Sequence, residues 1–373
     1  MLLKKLSLFA FKNYLEAAFE FSDGINCFVG MNGGGKTNLL DAIHYLSLTK
    51  SAFNSIDSQS ILHGERLATV TGNIAIADHD YQVICALQQG QKKIIKVNQS
   101  EYEKLSEHIG RFPVVLIAPN DTDIIRDSNE IRRRFFDSIL SQIDANYLRQ
   151  LIQYNHYLKQ RNSLLKQLAT SQQTDHDLLA PYDHHLLTLG KNIFEVRKKF
   201  VTEYLPILTS HYQNLSEERE AINLTYSSQL ESKNYDKDYQ NSLQKDLILQ
   251  RTNVGIHKDE YLFEIDDRPI KKFGSQGQQK SFLIALKLAQ FEIIKREKGL
   301  KPLLLLDDIF DKLDDFRIQK LVEMVANDSF GQLFITDARP ERSKDILKAI
   351  GAEVKFFQIE NGAVSVEDEQ QNT

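Results

Sequence analysis

Eight residues near the N-terminus, Gly30-Met31-Asn32-Gly33-Gly34-Gly35-Lys36-Thr37, have the make-up of a loop that wraps a phosphate. Glycines let successive backbone N–H groups turn inward around an anion, and a helix starting at the end of the loop adds its positive terminus. On that reading Gly30, Asn32, Gly33, Gly34, Gly35 and Asn38 cradle ATP. Lys36 reaches the β- and γ-phosphates, and the Thr37 hydroxyl binds Mg²⁺. The bland alternative is a glycine turn in a fold that binds no nucleotide. Four leucines, Leu303 to Leu306, then deliver Asp307 and Asp308. A buried strand of this kind carries its acids to the carboxyl edge of an α/β sheet, where ligands bind. Asp307 there holds Mg²⁺ and Asp308 orients or deprotonates the attacking water. Paired acids also open many ordinary helices, so the pair takes its meaning from the phosphate loop.

A third group, Phe273-Gly274-Ser275-Gln276-Gly277-Gln278-Gln279-Lys280, opens a helix predicted through residue 294. Ser275 is a natural N-cap. Its hydroxyl, with Gly277, Gln278 and the free N–H groups of the helix start, also suits a γ-phosphate. The order of loop, signature and acid pair is that of an ABC-type ATPase head. In such a head the signature lies far from its own phosphate loop and acts on ATP held by a second subunit, which makes Ser275 a catalytic contact together with Lys36 and Asp308.

The elements that position these groups are legible in coarse form. Residues 2–9, 16–21 and 25–29 read as strands and 38–46 as a helix, so the loop joins strand to helix. Alternation between residues 68 and 97 predicts antiparallel strands, and 114–118 a short buried one. From residue 130 the texture turns helical. Leu148, Leu151, Asn155, Leu158, Asn162 and Leu165 keep a three-then-four spacing, as do Leu186, Leu189, Ile193, Val196 and Phe200, which predicts two antiparallel helices joined near residues 170–177. Each is on the order of 30 Å long at 1.5 Å per residue, with Pro206 ending or kinking the second. Strand-like runs resume at 261–265, 303–306 and 333–336. The predicted organisation is an α/β head in two parts, residues 1–125 and 246–373, interrupted by a helical arm at 126–245. The polar tail 367–373 reads as disordered.

These motifs resemble the RecF family of SMC-like ATPases over nearly the whole chain. The resemblance rests on Phe11-Lys12-Asn13-Tyr14, on Asn32 to Ile43, on the stretch from Pro119 ending Arg132-Arg133-Arg134-Phe135-Phe136-Asp137, and on Gly255-Ile256-His257-Lys258-Asp259. It implies an ABC/SMC-type head with a mixed sheet, an antiparallel β subdomain and an inserted helical arm. It also implies an ATPase that dimerises on ATP and binds double-stranded DNA at single-strand gaps. With RecO and RecR, such a protein helps load RecA. Lys12 is carried over as a nucleotide contact. Asp311-Lys312-Leu313-Asp314 stands where the family resembles Ser-Glu-Leu-Asp, and only Asp314 is carried over there.

Charge by itself does not announce a DNA binder, since 46 basic against 51 acidic side chains leave a net charge of -5. Binding then falls to local clusters, for which Arg132, Arg133, Arg134, Lys198 and Lys199 are the candidates; Arg197, Lys92, Lys93, Lys96, Lys271 and Lys272 extend the set. For any one cluster the competing reading is a solvated face or internal ion pairs. Cys27 and Cys85 are the only cysteines and are expected to be reduced in a cytoplasmic protein without metal clusters. The N-terminal apolar stretch stops at Lys12, too short for a secretory core, and no run approaches a membrane-spanning length. The remaining alternatives are a transporter-type ATPase subunit, disfavoured by Thr336 and Asp337 where transporters carry a histidine, and a scaffold that binds ATP without turnover.

Overall fold

The computed structural model describes residues 1–171, 176–216, 220–309, 318, 320, 330–348 and 354–366. The loop 311–314, the link 172–175 and the tail 367–373 lie outside the described residues. In chain order the strands are β1 (Leu2–Phe11), β2 (Tyr14–Glu20), β3 (Ile25–Val29), β4 (Leu67–Ile76), β5 (His79–Gln88), β6 (Ile94–Val97), β7 (Ser100–Glu101), β8 (Val114–Ile117), β9 (Ile222–Ser227), β10 (Glu260–Ile265), β11 (Arg268–Pro269), β12 (Leu303–Leu306), β13 (Leu333–Asp337), β14 (Val354–Glu360) and β15 (Ala363–Val366). They fall into two compact units, Met1–Asp121 with Ile284–Thr373, and Thr122–Leu283.

The first unit is built on two six-stranded sheets. One is antiparallel, in the order β2-β1-β4-β5-β6-β7. Its strands alternate as a half-buried sheet must: Leu6, Leu8 and Ala10 point inward from β1 while Lys5, Ser7 and Phe9 face out. The other runs β15-β14-β3-β13-β12-β8, parallel except for the β14–β15 hairpin. Every residue of β3, β12 and β13 is buried, which explains why Leu303–Leu306 reads as an unbroken apolar run. The helix Lys36–Leu48 contacts strands of both sheets. Eleven of its thirteen residues are buried, so it needs no polar face.

The second unit holds the helices Asn129–Ile143, Ala145–Ser171 and Ala180–Leu215, with the sheet β11-β10-β9. Here the structure departs from the sequence reading in four ways. The unit extends to Leu283 rather than ending near 245, because β10 pairs with β9 along six residues and cannot be divided from it. The arm is therefore not purely helical. The two long helices, 27 and 36 residues, span roughly 40 and 54 Å at 1.5 Å per residue. The second does not end at Pro206 but continues to Leu215. Finally, the first buries Tyr147, Tyr154, Arg161 and Leu168 at seven-residue intervals, with Leu165 of the expected seam fully buried beside them and Asn155 of that seam exposed.

That placement puts two arginines in the interior. Arg161 donates to Asp183 at 2.6 Å, Asp246 at 2.7 Å and Thr252 at 2.8 Å. Arg197 donates to Asp137 at 2.8 Å, Asp259 at 2.8 Å and the Ile256 carbonyl at 2.9 Å. A buried guanidinium is tolerated where carboxylates and other oxygens meet its donors in this way. An amphipathic count that admits only apolar residues misses such a seam.

Candidate functional site

The phosphate loop leaves β3 at Gly30 and enters the helix at Lys36. Gly30 has φ 149°, and a Cβ there would come within 2.2 Å of the Ile359 carbonyl oxygen; at Gly35, φ 120°, it would meet Asn13 Nδ2 at 2.5 Å. Neither position has room for a side chain. The loop is clamped from outside. Gly34 O accepts from the Gly362 amide at 3.0 Å and from Asn13 Nδ2 at 3.1 Å, and Gly35 O accepts from the Tyr14 hydroxyl at 3.0 Å. Asn38 Nδ2 donates to Asn13 Oδ1 at 2.8 Å, closing the clamp on the helix side.

Within the loop, Lys36 Nζ donates to Gly30 O at 2.7 Å and Met31 O at 2.9 Å. Burial holds its ammonium below the usual lysine range, against the pull of Asp308, Asp307 and Asp337. The Thr37 hydroxyl donates to Asp307, 2.9 and 3.1 Å from its two oxygens. Parallel pairing of β12 with β13 and β8 brings the acids to this point, and Asp307 N donates to Ile117 O at 2.8 Å.

Thr336, at the end of β13, ties the two acids together. Its hydroxyl donates to Asp307 Oδ1 at 2.7 Å and accepts the Asp308 amide at 2.9 Å. Burial pushes the Asp307 carboxyl up, while the hydroxyls of Thr336 and Thr37 and the charge of Lys36 hold it down. Asp308 sits at φ 48°, a conformation that costs a non-glycine residue energy and persists only where neighbours impose it. Asn32, Gly33, Gly35, Lys36, Thr37, Asn38, Pro119, Asp307, Asp308 and Thr336 line one cleft of about 250 Å³. All belong to the first unit.

The sequence-predicted residues thus divide. Gly30 and Gly34 shape the loop from behind through the Ile359 and Gly362 contacts. Lys12 does not line the cleft. Its ammonium is 2.6 Å from Asp41 Oδ2, with the two side chains 9% and 0% exposed, and it lies 5.4 Å from the centre of the Phe53 ring. Asp41 also accepts from Ser51 Oγ and the Ala52 amide, each at 2.6 Å. The opening motif meets the phosphate loop through Asn13 and Tyr14, which sequence reasoning passed over. Thr336 it read only as a missing histidine.

In the second unit, Ser275 is exposed at the start of the Gln276–Lys298 helix. Its Oγ accepts the Gln278 amide at 3.2 Å, and Gln278 Oε1 accepts the Ser275 amide at 2.6 Å. This reciprocal pair is a capping box. Gly277 is half-buried beside it. Of the candidate DNA contacts, Arg132 is a correction: it is 8% exposed and donates to the carbonyls of Ile124, Ile125 and Tyr261 at 3.0, 2.9 and 3.0 Å. Arg133 is half-buried and donates to Asp259 O at 2.6 Å. Arg197 is the internal hub already described. Arg134 is exposed and pairs with Glu130 four residues before it. Lys198 and Lys199 are 57% and 80% exposed, 4.0 Å from Glu231 and 3.7 Å from Glu203 respectively. A charge run on a helix turns only part of itself to water, and spacing against the heptad decides which part.

The two sheets, the clamped glycine loop and the acids at the carboxyl edge of the parallel strands define an ATPase head of the ABC/SMC type. Residues 2–361 match the RecF/RecN/SMC N terminal domain family. Among similar proteins, the DNA replication and repair protein RecF of Flavobacterium johnsoniae is 50% identical over 359 residues, spanning 96% of this chain and 100% of that protein. The RecF of Cytophaga hutchinsonii is 48% identical, over 98% of this chain and 96% of that one. A solved structure of the recombination mediator protein RecF with ATP in the RecFOR pathway superposes with a TM-score of 0.87 at 30% identity, covering 98% of this chain and 99% of that one. An Smc head from Pyrococcus furiosus shares the fold, with a TM-score of 0.55 at 17% identity. The chain belongs to the RecF family.

Proposed function

We propose that this protein is an ATP-dependent DNA-binding ATPase of recombinational repair and replication, in which two copies meet across two ATP molecules. The observation that carries the reading is the convergence of Lys36, Thr37, Asp307 and Asp308 on one cleft. The loop amides and Lys36 take the phosphates. Asp308 orients the attacking water, and Lys36 offsets charge that builds up on the transferred group.

The residues present suit Mg²⁺. Thr37 and Asp307 offer only oxygen, and Mg²⁺ keeps water and phosphate oxygens for most of its shell. When bound, the ion neutralises charge on the β- and γ-phosphates.

Ser275 and the amides beside it supply the γ-phosphate contact to ATP held by the other copy. Its exposure at the start of its helix supports that assignment. Double-stranded DNA near single-strand gaps is the substrate surface, with Lys198, Lys199 and Arg134 as the exposed cationic candidates. RecR, with RecO and RecA downstream, are the protein partners, in the cytoplasm. Among the described residues no helix is long and apolar enough to cross a membrane.

The test is sedimentation with ATP. The unaltered chain shifts from monomer to dimer, Lys36→Met loses nucleotide binding, and Ser275→Arg keeps ATP but stays monomeric. Normal pairing by Ser275→Arg would refute the composite site. Turnover equal to that of Asp308→Asn would leave only an ATP-binding scaffold.

A further inference from the structure

The capping box at Ser275 leaves one question open: what fixes the orientation of the Gln278 amide. A glutamine side chain offers a carbonyl on one side and an NH₂ on the other, and only the carbonyl can accept from the Ser275 N–H. The other face of that amide meets Glu220, whose Oε1 accepts from Gln278 Nε2. A carboxylate has no donor, so the Gln278 NH₂ must point toward Glu220 and its carbonyl toward Ser275. Glu220 is itself held. Its Oε2 accepts from the Tyr212 hydroxyl at 2.9 Å and lies 3.5 Å from Ser216 Oγ. Tyr212 is fully buried near the end of the Ala180–Leu215 helix. One turn further along the signature helix, Ser281 Oγ is 3.4 Å from Leu215 O.

The consequence reaches the serine hydroxyl. With the Gln278 N–H bonded to Ser275 Oγ, one lone pair of that oxygen is used and its proton stays outside the box, available to an external acceptor. We infer that Glu220 is a positioning residue for the signature serine: it locks the Gln278 amide in the one orientation that presents the Ser275 hydroxyl as a donor to the γ-phosphate of ATP on a second copy. This rests on the proposed pairing of two heads. Glu220 acts through Gln278.

The experiment replaces Glu220 with Gln, which preserves size but can present either a donor or an acceptor to Gln278. ATP affinity of the isolated chain, measured by equilibrium binding, should stay within about threefold. ATP-driven pairing, measured by sedimentation, should weaken by about tenfold or more. Tyr212→Phe, which removes the hydroxyl steadying Glu220, should give a smaller loss of the same kind. Glu220→Asp, which keeps an acceptor-only carboxylate facing the Gln278 NH₂, should retain more of the pairing than Glu220→Gln. Pairing of Glu220→Gln at full strength, while Ser275→Arg stays monomeric, overturns the positioning role and leaves the composite site standing. If Ser275→Arg also pairs, the composite site itself fails. Loss of ATP affinity in Glu220→Gln together with pairing would show that Glu220 only holds the fold, and would likewise overturn the role.

Discussion

Replacing Thr336 with Val keeps the shape of a buried side chain and removes one hydroxyl. That hydroxyl makes two bonds, to Asp307 Oδ1 at 2.7 Å and from the Asp308 amide at 2.9 Å. Losing a bond to a charged group costs about 1.5–3 kcal/mol, and a buried amide left without an acceptor about 1–3 kcal/mol. Asp308 already sits at φ 48°, so its position depends on that amide bond. If about 2 kcal/mol of this order is felt where Asp308 meets the attacking water, hydrolysis slows roughly 30-fold. Nucleotide affinity, which rests on the loop and Lys36, changes by less than about threefold. Phosphate release under saturating ATP, with equilibrium nucleotide binding in parallel, separates the two effects. Thr336→Ser should retain most activity. Unchanged turnover in Thr336→Val would refute the assignment.

Lys12→Met should destabilise the first unit by about 3–5 kcal/mol, since it leaves Asp41 charged and fully buried. A melting scan should show a drop of roughly 10 °C, while ATP affinity of the folded fraction stays near normal. Stability should also fall as pH drops from about 6.5 toward 4. Burial pushes His257 down to about 4, with its ring nitrogens 2.9 Å from the Tyr154 hydroxyl and 3.0 Å from Thr252 O. The unfolded chain therefore binds a proton that the folded chain refuses; the loss is about 3 kcal/mol at the acid end, and urea melts of His257→Gln should show a flatter profile. Reversing Lys198 and Lys199 to Glu should weaken ATP-dependent retention on gapped DNA and lower its salt slope; retention at the unaltered level would remove these two lysines from the interface.

The glycine loop and the acid pair were legible because each is a local pattern whose chemistry fixes its setting: a strand, a turn that excludes side chains, and a helix. What held those patterns in place was not local. Asn13 reaches Gly34 across 21 positions and Thr336 reaches Asp307 across 29, and no spacing rule points to either contact. Charge runs misled for a related reason. Arg132 and Arg197 sit beside exposed cations in the chain but face inward, where backbone carbonyls and aspartates from distant elements meet their donors. The late end of the second unit was hidden because the β9–β10 pairing joins residues more than thirty apart. The short strand at 261–265 gave no sign of which sheet it would enter.

The central claim is that each nucleotide pocket is completed by a second copy, and mixing two defective chains tests it most directly. Lys36→Met lacks a working phosphate loop and Ser275→Arg a working signature, so each alone should fail to hydrolyse ATP. A mixed pair contains one pocket built from the intact loop of one chain and the intact signature of the other. Hydrolysis should therefore reappear on mixing and peak at equal amounts. If mixed pairs form, as sedimentation of the mixture would show, and stay as inactive as the separate chains, the two motifs do not serve one pocket in trans.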